Sequence, residues 1–425
     1  MSTPAPGQDA TPSRRRVLFL AEAVTLAHVA RPLALATGLD SHRYEIHLAC
    51  AESYASLIGQ TSLQLHTLRS LSPARFKAAL AGGRVLYDTA TLRAYVEEDL
   101  RLLHELRPDV VVGDFRLSLS ISARLAGIPY LTISNAYWSP YRAQHYPVPE
   151  LPLTRLLGVT AAQLLFNLVR PLAFALHSRP LNQVRREFGL ASLGSDLRRV
   201  YTDADYTLYA DPPELFPLST LPDTHRFLGP VLWSPTLPLP TWWDALPNDK
   251  PCLYVTLGSS GNAGLLPRIL AALAGEPVTV IAAGAGQKMT DEIPGNAYIA
   301  DYLPGGDAAR RAKLVICNGG SPTSQQALMA GVPVLGVPAN LDQHLNMAAL
   351  EKAGVGRILR SEHLRPSSLR NAVRAMLTDE ALNQRTAAMA ETSGRYSAPR
   401  RFAEIVKEVG RIDRQQSRVL SKHPE

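Results

Sequence analysis

The residues Cys317 to Gly356 carry the densest chemistry in the chain. The apolar run Leu314-Val315-Ile316 stops at Asn318 and a glycine pair, Gly319-Gly320. A helix-forming stretch follows over 323–330, with Pro322 suited to a first helical turn. Gly331 and Pro333 end that helix and open a strand over 334–337. A helix N-terminus at the C-terminal end of a strand presents unpaired N–H groups and the positive end of a dipole, which suits a phosphate. Asp342, Gln343 and Asn346 follow the next strand. Groups that bind hydroxyls beside a phosphate site point to a sugar nucleotide. A second set could handle protons. Glu22, Thr25, His28 and Arg31 follow the first apolar run, and Asp114 and Arg116 follow Val110-Val111-Val112-Gly113. Alone, His28 reads as a surface or capping residue and Asp114 as a helix N-cap. Together, a carboxylate fixes the tautomer of a histidine and raises its basicity, as a general base requires. Gly258-Ser259-Ser260-Gly261 is either a phosphate-cradling loop or a plain turn. Asp203-Ala204-Asp205 has the spacing of a metal-diphosphate motif, but two acids one residue apart are common, and a solvated turn is the reading adopted.

The elements that position these groups alternate. Apolar strands at 17–20, 45–50, 110–113 and 130–133 are interleaved with helical stretches at 29–36, 91–106 and 117–126. That alternation predicts parallel sheets covered by helices on both faces. The stretch Leu151 to Leu176 has helical spacing, with Pro171 expected to kink or split it. It reads as a buried structural helix in preference to one that docks on a membrane, and it could line an apolar pocket. Ten prolines fall among the 41 residues Asp211 to Pro251, which marks a linker. There is also an internal echo. Asp114 is followed 13 residues later by Gly127-Ile128-Pro129, and Asn318 is followed 13 residues later by Gly331-Val332-Pro333. Matching βαβ units place Asp114 and Asn318 at corresponding strand ends, where ligands of such sheets bind. The expected organisation is a Rossmann-like domain over 14–230, a proline-rich linker over 231–250, a second Rossmann-like domain over 251–395, and a C-terminal helix over 396–415 that returns to the first domain.

Composition narrows the classes. A length of 425 residues fits two domains, and the net charge of +7, from 44 basic and 37 acidic residues, is modest. Aromatic and basic residues are not interleaved in the manner of a nucleic-acid binder. Three cysteines, each in or beside an apolar run, argue against a disulfide framework and fit a reducing cytoplasm. Arg14-Arg15-Arg16 before Val17-Leu18-Phe19-Leu20 has the look of an export signal. Glu22 and His28 interrupt the run and no clean cleavage site follows, so a tail and a first strand are expected instead. No run reaches the length of a membrane span.

Asn318-Gly319-Gly320-Ser321-Pro322-Thr323, two spacers, then Gln326-Ala327-Leu328 resembles the donor signature of the family 1 glycosyltransferases of the GT-B fold. The continuation Ala330-Gly331-Val332-Pro333 and Asp342-Gln343, Asp301-Tyr302-Leu303-Pro304, Trp242-Trp243-Asp244, Leu257-Gly258-Ser259 and Gly229-Pro230 match as well. The resemblance implies an α/β GT-B fold, with two doubly wound Rossmann-like domains facing across a cleft. It implies inverting, metal-independent hexosyl transfer from a nucleotide diphosphate-sugar, a UDP- or dTDP-sugar, to a small-molecule or lipid acceptor. No cofactor or nucleic-acid partner is implied, and contact with a membrane surface stays open. His28 would be the base and Asp114 its orienting group. Gly258, Ser259, Asn318, Gly319, Gly320, Ser321 and Thr323 would hold the diphosphate, Gln326 the ribose, and Asp342 and Gln343 the sugar. Trp138 and Tyr141 would face the acceptor. Three signature positions differ here. Asn318 replaces a histidine, Pro322 a glycine and Gln326 an acid. Two alternatives follow from those changes: a sugar-nucleotide epimerase on the same fold, or a non-catalytic binding protein.

Overall fold

A computed structural model describes residues 14–58, 61–218, 220–258, 261–262, 264–284 and 293–420. The first half contains β1 (Arg15–Ala21), α1 (Leu26–Ala36), β2 (Tyr44–Cys50), α2 (Ala55–Ile58), β3 (Gln64–Thr67), α3 (Pro73–Ala81) and α4 (Thr89–Leu106). It continues with β4 (Val110–Asp114), α5 (Leu119–Ala126), β5 (Tyr130–Ser134), α6 (Pro152–Glu187), α7 (Leu197–Tyr201), β6 (Tyr206–Tyr209) and β7 (His225–Phe227). The second half contains β8 (Cys252–Thr256), α8 (Leu265–Leu273), β9 (Thr279–Ala283), β10 (Ala297–Ala300), α9 (Gly305–Arg311), β11 (Leu314–Cys317), α10 (Ser321–Met329), β12 (Val334–Gly336), α11 (Leu341–Lys352) and β13 (Gly356–Ile358). Three helices close the chain: α12 (Pro366–Leu377), α13 (Glu380–Ser393) and α14 (Ala398–Leu420).

The strands form two parallel sheets, in the orders β3-β2-β1-β4-β5-β6-β7 and β10-β9-β8-β11-β12-β13. Each order reverses beside its first strand, so each sheet has a switch point there, where the loops after β1 and β4, or after β8 and β11, diverge. The central strands are buried on both faces, as parallel strands under helices must be, which explains the unbroken runs Val17–Leu20 and Leu314–Cys317. Gly127 (φ 65°) and Gly331 (φ 71°) both occupy the left-handed region just after α5 and α10, so the echo in the sequence is a repeated βαβ unit. The arginine run that resembled an export signal leads into the central strand β1, which pairs with β2 and β4.

Helix α14 packs on the first sheet. Phe402, Ile405, Val406 and Val409 share a core with Val17, Phe19 and Leu33, and Arg226 pairs with Glu408. Helix α6 departs from expectation. Its break lies at Gly158 (φ 75°, ψ 163°), while Pro171 and Pro180 lie inside it. Its outer face is exposed rather than buried, and by length and composition it is apolar enough to cross a bilayer, where the sequence had shown no such run.

Candidate functional site

Strand β4 and helix α1 bring the proton-handling groups together. Asp114 ends β4 and is fully buried. His28 lies in the first turn of α1, and its Nδ1 is 2.7 Å from Asp114 Oδ1. Arg31, one turn further along α1, grips the same carboxylate from Nε to Oδ2 at 2.8 Å and from Nη2 to Oδ1 at 2.6 Å. Arg31 Nη2 also lies 3.0 Å from His28 Nδ1. Both are donors once Nδ1 carries the proton it gives to Asp114, so the carboxylate is the acceptor for each. That tautomer leaves Nε2 as the basic nitrogen. Burial opposes the charge on Arg31, and the Asp114 carboxylate more than offsets it. Phe115 takes a left-handed conformation (φ 57°), uncommon for an aromatic residue, and its ring stacks on His28 at 4.9 Å.

His28 lines a cavity of about 350 Å³. Its walls are mostly apolar, from Phe76, Leu86, Phe115, Trp138, Phe166 and Phe174, with Gly320, Ser321, Pro322, Asp342 and Gln343 of the second half along one side. Tyr141 is absent from these walls. It is 44% exposed, with its ring against His225 at 5.0 Å, because the chain has turned away after the short helix that carries Trp138.

The second half supplies the N-terminus of α10. Gly319 (φ 76°) makes the turn, and a Cβ there would lie 2.5 Å from Met347 Cγ. Gly320 is the N-cap, no side chain caps the helix, and Pro322 sits in its first turn. Asn346 Nδ2 braces this turn, donating to the Gly319 carbonyl at 2.8 Å and to Ser324 Oγ at 2.9 Å. Buried Asn318 ends β11 beside Gly258, and its Oδ1 accepts from the Gly320 N–H at 3.1 Å. Thr323 lies on α10. Ser259 lies outside the described residues.

Several expected donor contacts are already engaged. Ser321 Oγ donates to Asp211 at 3.3 Å and accepts from Asn135 at 3.1 Å and Gln325 at 2.9 Å. Gln326 donates to the Trp233 carbonyl at 2.8 Å and to Ser234 at 3.1 Å, which ties α10 to the linker. Asp342 accepts from the Tyr137 hydroxyl at 3.1 Å and Trp138 Nε1–H at 2.9 Å. Gln343 completes a capping box with Asn340 at the start of α11. The cleft is therefore bridged by side chains from both halves.

The centre of that bridge was not singled out from sequence. Asn135 follows β5 and Asp211 follows β6; Arg31 donates to Asn135 at 2.8 Å, and Asn135 donates to Asp211 at 3.0 Å. Asp211 also accepts from the Ala136 N–H at 2.7 Å and from Gln325 at 2.8 Å. Burial raises its carboxyl to about 6, although these donors favour the charged form. The strand-end rule that found Asp114 would have found both residues. Glu22 and Arg116 form a separate buried cluster with Asp99 and Glu98. Asp203 is held by Arg124 and Arg185, and Asp205, exposed in the bend before β6, accepts from the Tyr130 N–H. Among the described residues, no group of three or more His, Cys, Asp or Glu is placed to hold a metal.

Comparisons with known proteins agree with this geometry. Residues 266–411 match the family described as erythromycin biosynthesis protein CIII-like, C-terminal domain. The chain is 55% identical over 391 residues to a PGL/p-HBAD biosynthesis rhamnosyltransferase of Mycobacterium bovis, covering 92% of this chain and 86% of that one. It is 54% identical over 381 residues to a PGL/p-HBAD biosynthesis glycosyltransferase of Mycobacterium tuberculosis, covering 90% and 89%. Among solved structures, the spinosyn rhamnosyltransferase SpnG superposes with a TM-score of 0.67 at 20% identity, covering 92% of this chain and all of that one. SpnG has also been solved with thymidine diphosphate and with the spinosyn aglycone. From its paired sheets, bridged cleft and full-length relatives, the chain belongs to the family 1 glycosyltransferases of the GT-B fold, enzymes that use a nucleotide-sugar donor.

Proposed function

We propose that this enzyme transfers a deoxyhexose from a dTDP-sugar to a hydroxyl of an apolar, lipid-like acceptor, with inversion and without a metal. The observation that carries the reading is the His28–Asp114 pair on the wall of the apolar cavity, with the N-terminus of α10 along its side. The acceptor would lie among Phe76, Phe115, Trp138 and Phe174. His28 Nε2 takes the hydroxyl proton as the oxygen attacks the anomeric carbon, and the nucleotide diphosphate departs from the opposite face. Asp114, held by Arg31, stabilises the imidazolium that forms. The N-terminus of α10, with Thr323 in its first turn, would receive the charge of the leaving diphosphate, which supports metal independence. Asp342 and Gln343 would hold sugar hydroxyls, with Asp342 exchanging its bonds to Tyr137 and Trp138 for the donor.

The choice of a deoxyhexose and of dTDP is supported by the name of the Mycobacterium bovis relative and by the nucleotide bound to SpnG. A cytoplasmic location is supported by three buried, unpaired cysteines. No observation favours the epimerase or the non-catalytic reading. Incubation with a panel of UDP- and dTDP-sugars and an apolar long-chain alcohol, followed by mass spectrometry, tests the donor. A product heavier by one deoxyhexosyl unit, formed only from the dTDP-sugar, is expected. A product from UDP-glucose alone would overturn the donor choice.

A further inference from the structure

Helix α6 has two apolar faces, and among the described residues only one has a partner. Its inner face, with Phe166, Ala173, Phe174 and His177, forms a wall of the acceptor cavity. Its outer face carries Leu164, Leu168 and Leu172, which are 70%, 78% and 62% exposed, with Leu156 at 81% before the Gly158 break. Leucines four residues apart lie in one row along a helix. A contiguous apolar stripe of this size on a folded chain marks an interaction surface.

The charges along the helix name the partner. From Leu151 to Arg186 there is no acidic residue. Arg155, Arg179 and Arg186 are exposed around the leucine row, while Arg170 faces inward over the Tyr146 ring at 4.1 Å. Apolar residues flanked by an excess of cations, with the one carboxylate of the helix, Glu187, already paired to Arg93, suit a bilayer with anionic headgroups. A second copy of the chain laid along the same face would bring these arginines against each other with only that engaged carboxylate to offset them. A spanning orientation also fails. Thr154, Ala162, Phe174, Ser178 and Leu181 are buried against the domain, and Gly158 interrupts the helix.

We propose that α6 is an interfacial helix that seats the enzyme on an anionic lipid surface. The acceptor cavity then lies directly behind the helix, so an apolar acceptor can pass from the bilayer to His28 without crossing water. The lipid-seating step is independent of the transferase reading, and only the route of the acceptor rests on it. The test is therefore run without donor or acceptor. The full chain is sedimented with vesicles of phosphatidylglycerol and phosphatidylcholine, and with phosphatidylcholine alone. Binding to the anionic vesicles, weakened by salt, is expected. The triple change Leu164→Glu, Leu168→Glu, Leu172→Glu is expected to weaken it by about 100-fold or more. The single change Leu168→Gln, on an exposed position that leaves the core intact, is expected to weaken it about fivefold. Unchanged thermal unfolding and nucleotide binding would show that these variants are folded. The proposal is overturned if the chain does not sediment with anionic vesicles, or sediments equally with both lipids. It is also overturned if light scattering shows a dimer that the triple variant converts to a monomer.

Discussion

At the scale of residues, one carboxylate serves two partners. Asp114 orients His28 and neutralises buried Arg31. Asp114→Asn would leave that guanidinium without its counter-charge, so a loss of about 3–5 kcal/mol is expected by denaturant unfolding, together with the loss of transfer. Asp211 has a different signature. Its carboxyl is raised to about 6 against 3.8 for the free side chain, and burial is the main cause. Between those two values the folded state holds more protons than the unfolded chain. Its contribution to stability is therefore fully present at low pH and is lost as pH rises through about 6. Unfolding followed from pH 4 to pH 7 should show this downward slope, and Asp211→Asn should remove it. A slope unchanged in the variant would mean that Asp211 is not its source. His28 and Asp114 were legible in the sequence because each ends or follows an apolar strand. Asn135 and Asp211 follow strands in the same way, so the same rule reaches them, but only the structure shows that they join each other across 76 residues.

At the scale of elements, the repeated βαβ unit makes the donor site. The turn at Gly319 exists because a backbone at φ 76° packed against Met347 leaves no room for a Cβ. Gly319→Ala is expected to move the N-terminus of α10, raising the Kd for nucleotide diphosphate by about tenfold or more while leaving acceptor binding intact. Isothermal titration with dTDP would measure it. The strands and most helices were readable from apolar runs and glycine punctuation. Helix α6 was read as a helix, but its exposed face was not, because hydrophobic spacing cannot tell a face turned to a core from a face turned outward. Among the described residues, no other element covers its outer leucines. Tyr141 misled for a related reason. Its distance along the chain from Trp138 is short, but the backbone leaves the 3-10 turn at Ser139 in an extended conformation and carries the ring to His225.

At the scale of the molecule, polar bridges join the two halves beside an apolar core cluster that both halves share, with Tyr137 and Phe216 of the first and Leu345 and Met347 of the second. Ser321 and Gln325 reach Asp211, Asp342 reaches Tyr137 and Trp138, and Arg360 donates to the Val148 carbonyl at 2.9 Å. Each bridge joins a loop of the first half to a loop of the second. Two of the three departures from the family signature have structural partners here: Gln326 ties α10 to the linker, and Asn318 braces the turn at Gly320. The central claim is that this closed cleft performs glycosyl transfer with His28 as its base. Single-turnover transfer at saturating donor, with the wild-type chain beside His28→Ala, tests it most directly. The account predicts a fall of about 10²–10⁴-fold in the rate of transfer with nucleotide affinity unchanged; full transfer by the variant at the wild-type rate would contradict it.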